Sequence, residues 1–531
     1  MPGGVHLSAL TVLGTCCLYP SDGCKVDFTF MSFVSIPFAV FFGCVFAAFW
    51  FGPTRWRQHV LLVASYGFCA VSSPLSPIVL AAVSLLGYFG GLRIAREERP
   101  RARAMLSAGA VGTVVGILVA SRLWGPLVAA RLLDVLRISW NASALGLLGV
   151  SFFSLKVVGY LIDVQARRVQ PEPSVRAFGT FVALFVELPS GPIDRAQQLL
   201  PQLTMAMEFD STTASRGLRL VLWGLFKKLV VGDRLAIMVA AIYGEPYGKP
   251  SISLIAATVL FAFQLLADFS GYTDMALGLG GCLGLRLSPN FELPYSAHTV
   301  SEFWRRWHIS FSSWLRDYLF LPISYAVTRR LDGRTFLGIG EEYWAYGAGS
   351  MVTMVLGGLW HGFELHYVLW GAVIATFMIV SVATRKVRGR ALKRSGLRKH
   401  PRLHKALQVA VAFTLINVSW VFFRAADTQQ ALYILTHAAA GIPAYLAQLA
   451  PFKSDVLLAP WLLGQAKRDV ILALLMLAGM SVVERLRRNE RARLLFESRP
   501  AYQRWALYYA LGILCMSMRA PAQSGFIYNG F

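Results

Sequence analysis

Apolar stretches long enough to cross a bilayer as helices recur along almost the whole chain, and this repetition constrains its fold more than any other feature. They run at about 33–51, 77–95, 104–121, 143–163, 217–241, 251–270, 365–383, 407–423, 469–483 and 503–519, with shorter or interrupted candidates near 59–73, 177–190, 345–361 and 431–452. In hydrocarbon every backbone amide must be satisfied internally, so only helices or a closed barrel can span, and runs of this length select helices. A soluble globule of 531 residues is excluded, because 56% are hydrophobic and 15% charged, at a mean hydropathy of +0.54; that is too little polar surface to cover it. No linker, low-complexity tract or internal repeat divides the chain, which predicts one all-α, multi-pass membrane domain over 31–531. Residues 1–30 hold Cys16, Cys17 and Cys24 among Pro, Gly and charged residues, and read as an extracytoplasmic extension or a start placed too early.

Lys and Arg number 51 against 28 Asp and Glu, a formal charge of +23. The basic residues gather between apolar runs, at Arg55 and Arg57, Arg96 to Arg103, Arg167 and Arg168, Arg385 to Lys405, and Arg485 to Arg493. This is the positive-inside pattern, and it accounts for the charge without nucleic acid. Seven cysteines show no metal-ligand spacing. With the basic loops held on the cytoplasmic side, two segments are left without a crossing to make. They are 177–190, which runs into Pro189, Gly191 and Pro192, and 431–452, which contains His437, Gly441 and Pro443. The expectation is about twelve spans plus re-entrant or interfacial helices, with both termini outside.

Two clusters carry chemistry. GGLWHG (Gly357 to Gly362) sets His361 between two apolar runs, and FWRRWHISFSSWLRDYLF (Phe303 to Phe320) contains His308. An imidazole at membrane depth is expensive unless it is paired or reactive. At helical spacing Phe303, Trp307, Phe311, Trp314 and Tyr318 form an aromatic face interleaved with Arg305, Arg306, Arg316 and Asp317, which suits either an interfacial helix or a cavity lining. His308 with Ser310, Ser312 and Ser313 favours the cavity. Upstream, Asp268 and Asp274 lie in an apolar run ahead of Gly278, Gly280, Gly281 and Gly284, which read as packing glycines. The two carboxylates are offset by roughly 240° round a helix and should face different partners. Segments 345–361 and 365–383 should form a hairpin with His361 at its turn, inside a central funnel or tunnel.

In order and spacing, DFSGYTDMALGLG from Asp268, SPNFELPY, EFWRRWHISFSSWLRDYLFLPI and GGLWHG resemble the membrane-bound O-acyltransferase family, and within it the bacterial alginate O-acetyltransferase branch. GVSFFSLKVVGYLIDV (Gly149 to Val164), ELPSGPIDRAQQLLPQL (Glu187 to Leu203), GLFKKLVVGDRLA (Gly224 to Ala236) and FIYNGF (Phe526 to Phe531) extend the likeness from about Met31 to the C-terminus. The chain departs from the branch in lacking paired glycines after LFLPI and in carrying Ser190 where alanine is frequent.

The resemblance implies a bacterial inner-membrane enzyme that moves an acyl group, acetyl first among them, from a cytoplasmic thioester such as acetyl-CoA. The acceptor is a hydroxyl of an extracytoplasmic polysaccharide, or a periplasmic or membrane-anchored acetyltransferase partner. No bound cofactor and no metal is implied. It makes His361 catalytic and His308 a second functional position. Chemistry agrees, because a hydroxyl attacks a thioester slowly unless a base takes its proton. Gly357, Gly358 and Gly362 are expected to bring backbone N–H groups to the reacting carbonyl. Donor contacts or tunnel lining are expected from Trp304, Arg305, Arg306, Trp307, Asp317, Trp360, Asp268, Asp274 and His366, the last reading also as a structural residue, with Arg305, Arg306 and Trp307 holding donor phosphates or lining the donor tunnel beside His308. Three other readings are D-alanyl transfer from a carrier protein to teichoic acid, a secondary transporter or glycan-export channel, and a non-catalytic scaffold. The missing inverted repeat counts against the transporter, and the two histidines against the scaffold.

Overall fold

A computed structural model describes residues 31–72, 75–135, 147–205, 208–443, 445 and 459–520, which among themselves form helices and no strand. In chain order they are α1 (Ile36–Phe51), α2 (Arg57–Ser72), α3 (Ser76–Arg96), α4 (Pro100–Val135), α5 (Val150–Gln165), α6 (Val175–Ala183), α7 (Ala196–Thr204), α8 (Ser211–Phe226) and α9 (Asp233–Tyr243). There follow α10 (Ser251–Cys282), α11 (Val300–Arg306), α12 (Ile309–Leu315), α13 (Leu321–Leu331), α14 (Glu341–His361), α15 (Leu365–Ala383), α16 (Arg385–Arg394), α17 (Pro401–Arg424) and α18 (Thr428–Ala440). Three helices close the chain, Lys467–Arg488, Glu490–Glu497 and Ala501–Ser517. The N-terminal cysteines, the start of the 143–163 stretch, residues 446–452 and FIYNGF lie outside the described residues.

Among the described residues five helices are long and apolar enough to cross a membrane: α3, the Pro100–Val128 part of α4, α10, α15 and α17. The 217–241 stretch is α8 and α9 joined without a break by a π turn, Lys227–Gly232. The 177–190 segment folds as the nine-residue α6, about 14 Å long, followed by turns. It is too short for a hydrocarbon core of about 30 Å. The apolar window of α10 is 72% buried inside the protein and that of α4 only 11%, so α10 is central and α4 peripheral.

Glycine sets how closely the central helices approach. A Cβ on Gly224 would meet the Gly271 carbonyl oxygen at 2.5 Å, and one on Gly217 the Gly278 carbonyl at the same distance, so α8 and α10 cross backbone to backbone. Gly358 of α14 and Gly371 of α15 do the same for the hairpin, each abutting a carbonyl on the other helix, Tyr367 and Met354 respectively. Helix starts follow local chemistry. Thr299 Oγ1 accepts from the Glu302 amide to begin α11, and the Glu302 carboxylate reaches back to the His298 amide at 2.9 Å.

The aromatic run 303–320 is not one helix. α11 stops at Arg306, His308 adopts a left-handed conformation (φ 43°, ψ 56°), α12 starts at Ile309, and a π turn follows at Arg316–Phe320. The break is stitched to 290–292 by the Glu292 amide donating to the Arg306 carbonyl and the Ile309 amide donating to the Asn290 carbonyl, both at 2.9 Å.

Candidate active site

His361 is the last residue of α14, and the chain turns through 362–364 into α15. Its imidazole is 4% exposed. The ring meets Trp360, Phe423 and Trp370 edge to face at centroid distances of 4.8, 5.0 and 5.1 Å, with Tyr367 at 6.4 Å. α14, α15 and α17 therefore each supply a wall. His308 approaches the same aromatic layer from α12, 1% exposed, against Phe269 (4.8 Å), Phe311 (5.1 Å) and Phe152 (6.4 Å). Phe311 and Trp360, with centroids 4.4 Å apart, lie against both histidines. His308 and Arg122 of α4 both lie within electrostatic reach of His361, and Arg122 Nη2 donates to Ser151 Oγ at 2.6 Å.

Asn290 holds His308. Its Oδ1 receives Ser310 Oγ at 2.7 Å, the Ser310 amide at 3.1 Å and His308 Nδ1 at 3.3 Å, while Ser310 Oγ accepts the Ile193 amide at 2.9 Å. Among the described residues His308 Nε2 and Asn290 Nδ2 have no hydrogen-bond partner, and neither do the indole N–H groups of Trp304, Trp360, Trp370 and Trp420. Trp370 touches both Trp304 and Trp420. Buried indole N–H groups usually find a partner, so unpaired donors in the same aromatic layer as two imidazoles single this layer out as a candidate polar site. A cavity of about 280 Å³ reaches Asn290, lined also by Lys227, Asp274, Glu484, Arg487 and Arg488.

The structure thus brings His308, His361, Trp304 and Trp360 together, and it sends other expected residues elsewhere. Arg305 is exposed, and Arg306 is bound to Glu302 (2.6 Å) and Ser296 (2.8 Å), so the arginines before His308 do not share its chamber. His308, in its left-handed conformation, is buried, while Arg305 stays exposed and Arg306 half-buried. Trp307 stacks on Phe303 and packs at a tilt against Trp420 as core. Asp317 pairs with Arg195 at 3.1 Å and Arg316 at 2.8 Å. His366 takes the structural one of its two expected roles, its Nδ1 facing the Phe422 carbonyl at 2.9 Å and tying α15 to α17. Asp268 pairs with Lys228 and Asp274 with Lys227, each at 2.6 Å, on two sides of α10. The expected oxyanion role of the glycines also changes. Gly357 and Gly358 lie within α14, Gly358 serves the α14–α15 contact, and the Gly362 amide is spent on the Gly358 carbonyl at 3.2 Å.

Sequence reasoning assigned no role to Asn290, nor to the buried pairs Lys156–Glu187 and Lys228–Asp233. For the two pairs the signal was present as charged residues inside otherwise apolar stretches, GVSFFSLKVVGYLIDV, ELPSGPI and GLFKKLVVGD.

The model of the membrane-bound O-acyltransferase family matches residues 151–337, a span that takes in His308 and ends before His361. Over 411 residues the chain is 32% identical to the probable alginate O-acetylase AlgI of Pseudomonas aeruginosa, covering 76% of this chain and 73% of the relative. It is 28% identical over 318 residues to a peptidoglycan O-acetyltransferase of Helicobacter pylori, 54% of this chain and 56% of the relative. It is 24% identical over 300 residues to a teichoic acid D-alanyltransferase of Streptococcus thermophilus, 54% of this chain and 70% of the relative.

Proposed function

The chain belongs to the membrane-bound O-acyltransferase family, and on that premise we propose that it takes an acetyl group from acetyl-CoA on the cytoplasmic face of a bacterial inner membrane and delivers it to the other side. The acceptor is a hydroxyl of an extracytoplasmic polysaccharide, reached directly or through a periplasmic or membrane-anchored acetyltransferase. The observation that carries the reading is the meeting of His308 and His361, from separate helices, on the Phe311–Trp360 pair with open N–H donors around them. His361 acts as general base, taking the proton as an acceptor oxygen attacks the thioester carbonyl. The bond to sulfur then breaks, and the thiolate leaves to be protonated. About twelve spans with both termini outside complete the proposal.

D-alanyl transfer from a carrier-protein thioester is the second reading, favoured by the likeness to teichoic acid D-alanyltransferases. The test is free-thiol release by detergent-purified protein offered acetyl-CoA or a D-alanylated carrier protein, with and without polysaccharide. Thiol release from acetyl-CoA supports the proposal. Release from the carrier protein alone replaces it with the second reading, and release from neither removes both.

A further inference from the structure

We propose that Asn290 is a positioning residue that fixes the tautomer of His308, so that Nδ1 carries the proton and Nε2 faces the aromatic chamber as an acceptor. The assignment rests on donor and acceptor logic. The Ser310 backbone amide, 3.1 Å from one end of the Asn290 side chain, can only donate, so that end is the carbonyl oxygen. An amide oxygen cannot donate, so His308 Nδ1, facing the same oxygen at 3.3 Å, must bear the hydrogen. Ser310 Oγ closes the arrangement by accepting from the Ile193 amide at 2.9 Å, which commits its own hydrogen to Asn290 Oδ1 at 2.7 Å. Each element of the clamp is buried, Asn290 and His308 at 1% exposure and Ser310 at 5%.

The backbone is shaped for this contact. His308 holds φ 43°, a left-handed conformation that a residue with a Cβ adopts at a cost of order 1–3 kcal/mol unless its surroundings demand it. The demand comes from Asn290, whose carbonyl holds the Ile309 amide while its side chain holds the ring. Among the described residues the aromatic side chains on the ring include Phe152 of α5, Phe269 of α10, Phe311 of α12 and Trp360 of α14, all uncharged, with His361 a titratable group in electrostatic reach.

The consequence bears on the reaction class and rests on the acyl-transfer reading. A neutral His308 with Nε2 unprotonated can accept a hydrogen bond from a hydroxyl, thiol or amide N–H, and it cannot donate one to a phosphate or a developing oxyanion. It therefore contacts a proton-bearing part of the substrates, the acceptor hydroxyl or the thiol product. The donor's phosphates belong elsewhere.

Nitrogen-15 spectra of histidine-labelled protein test this directly, the His308 signal among nine histidines being identified by difference with His308→Gln. Wild type should show His308 protonated at Nδ1. Asn290→Leu, which removes the acceptor at similar volume, should move population to Nε2–H and lower kcat about 10- to 100-fold with little change in KM. Asn290→Asp, which keeps an acceptor oxygen, should restore Nδ1 protonation. Wild-type His308 protonated only at Nε2 overturns the proposal even if a variant fails to fold. So does a folded Asn290→Leu protein with unchanged tautomer and turnover. The spectra need no turnover, so an Nδ1-protonated His308 in a protein that consumes no thioester would sink acyl transfer and leave the clamp standing.

Discussion

Two of the places where polar groups are buried among these helices are treated in opposite ways. Along the α8–α10 seam, Lys228 meets Asp233 (2.8 Å) and Asp268 (2.6 Å), and Lys227 meets Asp274 (2.6 Å) and Glu484 (3.2 Å). In the aromatic layer around the histidines the polar groups are imidazoles and indoles, and His308 Nε2 and the Trp304, Trp360, Trp370 and Trp420 N–H groups lack partners among the described residues. Matched charges consume each other's hydrogen-bonding capacity and hold helices together. Open neutral groups cost about 1–3 kcal/mol each when left dry, and a fold keeps them where something else will fill them. Stability should therefore respond at the seam and turnover at the chamber.

The largest effect should fall on the chamber. His361→Ala should lower turnover about 10²- to 10⁴-fold while its melting temperature stays within a few degrees of wild type. Loss of folding instead would make His361 part of the structural set. The reverse split is expected at Lys228, because removing it takes a buried cation from between Asp233 and Asp268. Lys228→Ala should lose about 3–5 kcal/mol of stability, seen as collapse of the size-exclusion peak or a strongly lowered melt. A stable, inactive Lys228→Ala protein would erase the distinction.

Gly358→Ala probes the boundary between the two. The added methyl would run into the Tyr367 carbonyl, part of the backbone. It should cost about 1–3 kcal/mol and also lower turnover, since the α14–α15 spacing sets the His361 ring against Trp370. A Gly358→Ala melt equal to wild type would show that the hairpin has slack. The smallest effect should come from Arg306→Ala. Its partly exposed pair with Glu302 is worth below about 1 kcal/mol, and the apparent KM for acetyl-CoA should stay within twofold. A large rise would return Arg306 to the donor site.

Much of this was legible in the chain. An all-helical membrane protein follows from stretches such as 251–270 and 365–383, and the α14–α15 hairpin from the GGLWHG interruption. The separate partners of Asp268 and Asp274 follow from helical phase alone. What failed was proximity in sequence taken as proximity in space. Arg305, Arg306 and His308 look like one cluster while 303–318 reads as a continuous helix, but the helix ends at Arg306. The cause lies at 290–292, whose hydrogen bonds to Arg306 and Ile309 reward the break, and no local periodicity reports a contact of that kind. Asn290 escaped notice because an amide in SPNFELPY looks like turn chemistry until its partner is known.

The π turn at Lys227–Gly232 has a consequence for how this chain can vary in length. A π turn holds one residue more than the α-helical turn it interrupts, so trimming a single residue there would leave a plain helix whose far part keeps its phase, whereas the same deletion in a plain α-helical stretch rotates everything beyond it by about 100°. Within α9 such a deletion would carry the rest of its buried face out of register. With Lys227 and Lys228 spared, single-residue deletions between 229 and 232 should therefore be tolerated better than deletions between 234 and 242, while a deletion in the exposed 332–339 connection shifts no buried face. The extra residue acts as a phase adjuster: it lets one uninterrupted helical path present its cations to α10 first and its own carboxylate one step later.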